Sequence, residues 1–205
     1  MPAPFHPPYT SAFPNIMVAV LAALLVLGAA GRGRAQSANE AQPPEKPMEA
    51  CYRGSAAQQR DQHHLAISYY NQCIASAELP PETLALVLSN RATSRQLTSD
   101  FEGALRDYSE AIEIDPERAN AYNGRCWAHA MLRRPARALA DCDESLRLAP
   151  DDPYALDSRA LAHWLMSRDE LARADLERAR ALNPSFRPWQ ERFKDFEKMF
   201  FGIDP

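Results

Sequence analysis

Apolar positions in the last three-quarters of the chain return at helical spacing, in paired runs. Leu88, Ala92 and Leu97 make one stripe, and "TSD" interrupts it. Phe101, Ala104, Leu105, Tyr108 and Ile112 then make another. Asp100 stands where a helix N-cap is needed, before "FEGALRDYSEAIEI". The pattern predicts two helices joined by a tight turn. In the next stretch Pro135 falls at the first position of the second helix, where a missing N–H costs nothing.

The helix pair recurs. Pro116, Pro150 and Pro184 are 34 residues apart and close the phrases "EIDP", "RLAP" and "ALNP". Leu88, Tyr122 and Leu156 keep the same step, as do Ile114, Leu148 and Leu182. So many columns at one period predict an all-α solenoid of stacked antiparallel helix pairs. Its clear units span 85–118, 119–152 and 153–186. A degenerate unit over 47–84 precedes them, lengthened by four residues around "ELPPE". After the last unit, Trp189, Phe193, Phe196 and Phe200 fall on one face of a predicted capping helix over 187–201, which a terminal unit needs to cover its apolar side.

Counting so that each closing proline is column 32, small residues fill columns 8, 20 and 27. They are Ala92, Ala104 and Ala111, then Cys126, Ala138 and Ser145, then Ala160, Ala172 and Ala179. This pattern resembles the tetratricopeptide repeat (TPR) family. The degenerate unit keeps part of it with Gly54, Ala66 and Tyr70. The aromatic of column 24 is Tyr108 in one unit but Cys142 and Leu176 in the others, and column 11 holds Arg95, His129 and His163 instead of an aromatic. The resemblance implies a right-handed solenoid whose first helices line a concave, partner-binding groove. That groove would hold Tyr52, Asn90, Asn120, Asn123, Trp127, Met131, Tyr154 and Trp164. Asn side chains suit the main chain of an extended peptide, and aromatic and Met surfaces suit its apolar side chains. For Trp127 and Trp164, packing under neighbouring units is the competing reading. No lysine lies in the repeats, so the clamp by which some TPR domains hold a terminal carboxylate is missing.

Two columns add charge. Arg91, Arg125 and Arg159 occupy column 7, and Asp107, Asp141 and Asp175 occupy column 23. In an antiparallel hairpin these columns lie level, which predicts a ladder of forked Arg–Asp pairs rather than separate solvated charges. The degenerate unit has Arg53 but carries Tyr69 in place of the acid.

The N-terminus differs from the rest. Ile16 to Ala30 is an uncharged apolar run of 15 residues, short for a bilayer span of roughly 20 residues. "GRA" before position 36 offers small residues for cleavage, so 1–35 reads as a signal peptide. Arg32 and Arg34, just after the run, favour the alternative, an uncleaved anchor with the solenoid in the cytoplasm. The proline-rich stretch 36–47 reads as a tether to the solenoid, 48–205. Export, periplasmic or secreted, is the leading expectation, and the membrane enters only through that first segment.

The four cysteines change the picture further. Cys126 with Cys142 and Cys51 with Cys73 each occupy columns level across one hairpin. Each pair could be a disulfide, as an even count in an exported chain suggests, or two small buried hydrophobes. Cys126 and His129 share a helix face, but no paired metal-ligand spacing, third catalytic group or phosphate-binding loop accompanies them. The expectation is therefore no enzyme, no metal and no cofactor. A net charge of −4 without a basic stripe argues against nucleic acid. What remains is a scaffold for a protein or peptide partner.

Overall fold

The computed structural model describes residues 47–76 and 78–188. The apolar run, most of the tether and nearly all of the predicted capping helix lie outside these. Among the described residues there are eight α-helices and no strands: α1 (Pro47–Gln59), α2 (His63–Ser76), α3 (Pro81–Leu97), α4 (Phe101–Ile114), α5 (Ala119–Met131), α6 (Pro135–Leu148), α7 (Pro153–Trp164) and α8 (Asp169–Leu182). None of them is long and apolar enough to cross a membrane. Successive helices pack as the hairpins α1–α2, α3–α4, α5–α6 and α7–α8. Each hairpin packs on the next, and α1, α3, α5 and α7 also touch in sequence as an inner row. The result is an all-α solenoid.

Local chemistry sets the helix ends. The side chain of Asp100 accepts the Gly103 N–H at 2.9 Å, and that of Asp152 accepts the Tyr154 N–H at 2.9 Å. Proline begins α3, α6 and α7. The four residues added around "ELPPE" do not form a longer loop. They give α3 one extra N-terminal turn, so it has 17 residues where α5 has 13. Pro81 makes this possible, because its fixed φ suits the first position of a helix.

Each hairpin turn contains one residue in the left-handed region: Asp61, Ser99, Arg133 and Ser167, with φ between 55° and 64°. The residue after it donates its N–H to the carbonyl five positions back: Gln62 to Ala57, Asp100 to Arg95, Arg134 to His129 and Arg168 to His163, at 2.8–3.0 Å. This is the closing bond of a Schellman motif, where glycine is the usual occupant. Here the turn is made four times without one.

The small columns let helices approach closely. Ala66, Ala92, Ala104, Ala111, Ala138, Ala160 and Ala179 are fully buried. A Cβ on Gly124 would overlap the Tyr108 ring. At the end of the described chain, Phe186 is buried against Leu146, Ala155, Leu156 and Ala179, edge-on to Tyr154 with ring centroids 5.3 Å apart.

Candidate functional site: the inner helix row

The residues expected to line the groove separate into two sets. Tyr52 on α1 is 49% exposed, and Asn120 at the start of α5 is exposed. Asn90, Tyr154 and Trp164 are partly buried. These five keep accessible surface on the inner row. Asn123, Trp127 and Met131 do not, with 1%, 5% and 7% exposure. The expectation that these three face an open groove is therefore corrected. Trp127 and Met131 pack with Cys126, Cys142, Leu161 and Ala162 in one apolar cluster, against which Trp164 leans. Burial of a large ring between neighbouring units removes more apolar area from water than exposure would allow. Asn123 is drawn in with them, and its Oδ1 has no hydrogen-bond partner. Trp164 also borders a hollow with Asp169, Ala172, Arg173 and Leu176.

The first two units fill the same positions with polar groups. Tyr70 Oη donates to Gln58 Oε1 at 2.7 Å and lies 3.3 Å from Ser55 Oγ. Tyr108 Oη donates to Gln96 Oε1 at 2.9 Å and lies 3.0 Å from Thr93 Oγ1. Gln96 Nε2 continues across the unit boundary to the Gly124 carbonyl at 2.7 Å. Tyrosine at column 24, glutamine at 12 and Ser or Thr at 9 form one repeated network. In the next two units those columns read Cys142, Ala130 and Trp127, then Leu176, Trp164 and Leu161. Burial pushes the Tyr70 hydroxyl up to about 12, partly offset by its bonds to Ser55 and Asn90. It raises that of Tyr108 as well, against its bond with Thr93. Both hydroxyls therefore keep their protons as donors at neutral pH. Sequence reasoning noted the tyrosines but missed the network, whose signal was the joint change of three columns.

The charged columns meet along one edge of the hairpins. Arg91 grips Asp107 through Nε and Nη2 at 2.8 and 2.7 Å. Arg125 grips Asp141 at 2.9 and 2.7 Å, and Arg159 grips Asp175 at 2.8 and 2.6 Å. The three carboxylates are buried. Hydrogen bonding to Asp141 and Asp175 raises the Arg125 and Arg159 guanidinium values, outweighing burial. The free Nη1 of each arginine reaches the preceding unit: Asn71 at 2.9 Å, Ser109 at 3.2 Å and Asp143 at 2.9 Å. The ladder thus joins units as well as hairpins. Column 11 joins it too. Arg95 Nη1 donates to Asp107 at 2.7 Å, whereas the Nε2 atoms of His129 and His163 stand 3.9 Å from Asp141 and Asp175. These basic residues at an aromatic column were the unread signal for a second partner.

Both cysteine pairs are disulfides. Cys51–Cys73 ties α1 to α2 with Cα atoms 5.1 Å apart, and Cys126–Cys142 ties α5 to α6 at 5.4 Å. Cys126 is thus paired with Cys142 rather than carried as a free thiol. Among the described residues no three His, Cys, Asp or Glu side chains gather as a metal site.

No profile of a known protein family matches the chain, and no curated protein matches it in sequence. Solved structures are similar to it in fold. MamA superposes with a TM-score of 0.60 at 14% identity, over 69% of this chain and 80% of that one. YrrB, described as a TPR protein with an unusual peptide-binding site, gives 0.58 at 13% identity, over 68% and 70%. The first TPR of Spaghetti (RPAP3), solved bound to an HSP90 peptide, gives 0.51 at 24% identity, over 58% and 91%. With the period, the small columns and the hairpin geometry, these likenesses make the fold of this chain a TPR-like helical solenoid.

Proposed function

We propose that this protein is a non-enzymatic scaffold that docks an extended segment of a partner protein along its inner helix row, outside the cytoplasm. The observation that carries the reading is an uncharged, accessible strip of Tyr52, Asn90, Asn120, Tyr154 and Trp164 on successive inner helices. Amides supply main-chain hydrogen bonds, and tyrosine and tryptophan supply anchors with little conformational entropy to lose. The RPAP3 repeat with its HSP90 peptide is a precedent for peptide capture on this fold. With no lysine in the repeats, the ligand is read as an internal or apolar segment rather than a charged terminus. Two disulfides suit an oxidising compartment and support export after cleavage near position 35.

The test is partner capture with the full chain as bait, beside Tyr52→Ala and Trp164→Ala variants of unchanged circular dichroism. Loss of more than about tenfold in recovered partner, the scale of one lost anchor, is the expected result. Unchanged recovery in both variants removes the strip from consideration. N-terminal sequencing of the expressed protein decides the compartment: a start at Gln36 supports export, and a retained run supports the anchored reading that Arg32 and Arg34 favour.

A further inference from the structure

The hairpins are not locked alike. In α1–α2 the disulfide Cys51–Cys73 holds the pair, and in α5–α6 Cys126–Cys142 does. The α3–α4 hairpin has no bridge, but its carboxylate, Asp107, is shared by two permanent cations, Arg91 and Arg95, both at 2.7 Å. Among the described residues, α7–α8 has neither device. Its carboxylate Asp175 is held by Arg159, and the second position belongs to His163, 3.9 Å away.

The His163 ring is arranged for the neutral form. Its Nε2 edge faces Asp175, while Nδ1 is buried and has no partner. A neutral imidazole with its proton on Nε2 tolerates this, because Nδ1 is then a bare acceptor. A second proton would place an N–H donor at Nδ1 with nothing to receive it, a cost of the kind that buried unpaired donors incur. It would also place positive charge beside Arg159 on the same helix and Arg168 in the turn. The acids facing the ring are Asp175 on α8 and Asp143 on α6, and both are already engaged by Arg159.

We infer that the α7–α8 hairpin is an acid-sensitive element, closed while His163 is neutral and loosened when the imidazole is protonated. Burial lowers the His163 value below its ordinary position, against the pull of Asp175. The unfolded hairpin thus binds the proton more readily than the folded one. Its stability is fully present above the ordinary imidazole range and is lost as pH falls through the folded value. His129 is placed in the same way, with Nδ1 unpartnered and Arg125, Arg134 and Arg137 nearby, and burial lowers it too. There, however, the disulfide holds α5 to α6. Loosening of α7–α8 moves Tyr154 and Trp164, so on the docking reading above it would also release one end of a bound segment. The inference itself does not depend on that reading.

The experiment is hydrogen exchange of the full chain at pH 7.5 and 5.5, corrected for intrinsic exchange and followed helix by helix. Protection of α7–α8 is expected to fall severalfold at the lower pH, within the tenfold-per-unit ceiling that one proton sets. Protection of α3–α4 in the same molecule should stay unchanged. His163→Gln should abolish the pH response while leaving the hairpin protected at pH 7.5. An equal pH response in the Gln variant, a uniform loss in every hairpin, or no loss at all would overturn the inference.

Discussion

Replacing each ladder arginine by methionine should give two different costs from three superficially identical sites. Methionine keeps much of the apolar stem and removes the fork, so the loss is electrostatic rather than a packing defect. In Arg159→Met the buried Asp175 loses both close N–H donors, and its remaining basic neighbour is His163 at 3.9 Å. Breaking one side of a fully buried pair costs ~3–5 kcal/mol. The arginines are 13–24% exposed, which places Arg159→Met near the bottom of that range, at about 3 kcal/mol. Arg125→Met should cost about the same, since His129 stands equally far from Asp141. Arg91→Met should cost only about 1.5–2 kcal/mol, the low end for hydrogen bonds to a charged group, because Arg95 still holds Asp107 at 2.7 Å. The assay is urea unfolding of the oxidised chain followed by far-ultraviolet circular dichroism. Equal losses for Arg91 and Arg159 would refute the argument that column 11 supplies the second cation, and losses below ~0.5 kcal/mol in all three would return the ladder to ordinary surface pairs.

Two further outcomes follow from the hairpins. Ser99→Gly and Ser167→Gly should each stabilise the chain by about 1 kcal/mol, because both exposed serines hold left-handed backbone that glycine adopts without penalty; thermal melts check this, and a loss of stability would count against the turn geometry. Non-reducing peptide mapping should recover Cys51 linked to Cys73 and Cys126 linked to Cys142, and removing the second bridge by paired Cys→Ala changes should cost about 3 kcal/mol for its 16-residue separation; four free thiols in protein purified without reductant would overturn both bridges.

The architecture was legible because it rests on one-dimensional information. A fixed period, small residues at helix contacts, an Asp before Phe101 and prolines at helix starts each follow from local backbone chemistry. The level columns of an antiparallel hairpin were enough to place Arg125 beside Asp141 and Cys126 beside Cys142. What could not be read was anything that depends on the neighbouring unit. Whether Trp127 faces solvent is decided by Leu161 and Ala162 on α7, one full repeat away. The third arm of each arginine reaches Asn71, Ser109 or Asp143, which share a column but no residue type. The extra turn of α3 was hidden because four inserted residues look the same in a sequence whether they lengthen a loop or a helix.

The corrected groove residues also explain why the two halves of the inner row differ. A disulfide between columns 8 and 24 and a tyrosine network at column 24 are mutually exclusive, since Cys142 stands where Tyr108 stands one unit earlier. Once column 24 is a small sulfur, no hydroxyl is left to satisfy a glutamine at column 12, and a buried amide without a partner would be costly. Ala130 and Trp127 are the consistent replacements: the alanine needs no partner, and the indole fills volume beside the bridge. The staple of α5–α6 thus goes with an apolar second half of the row, while the unstapled α3–α4 hairpin keeps a polar network that reaches across to Gly124. A ligand laid along this row would pass from amides and hydroxyls near Asn90 and Thr93 to aromatic surface near Tyr154 and Trp164. Its polarity would have to change in the same direction along its length.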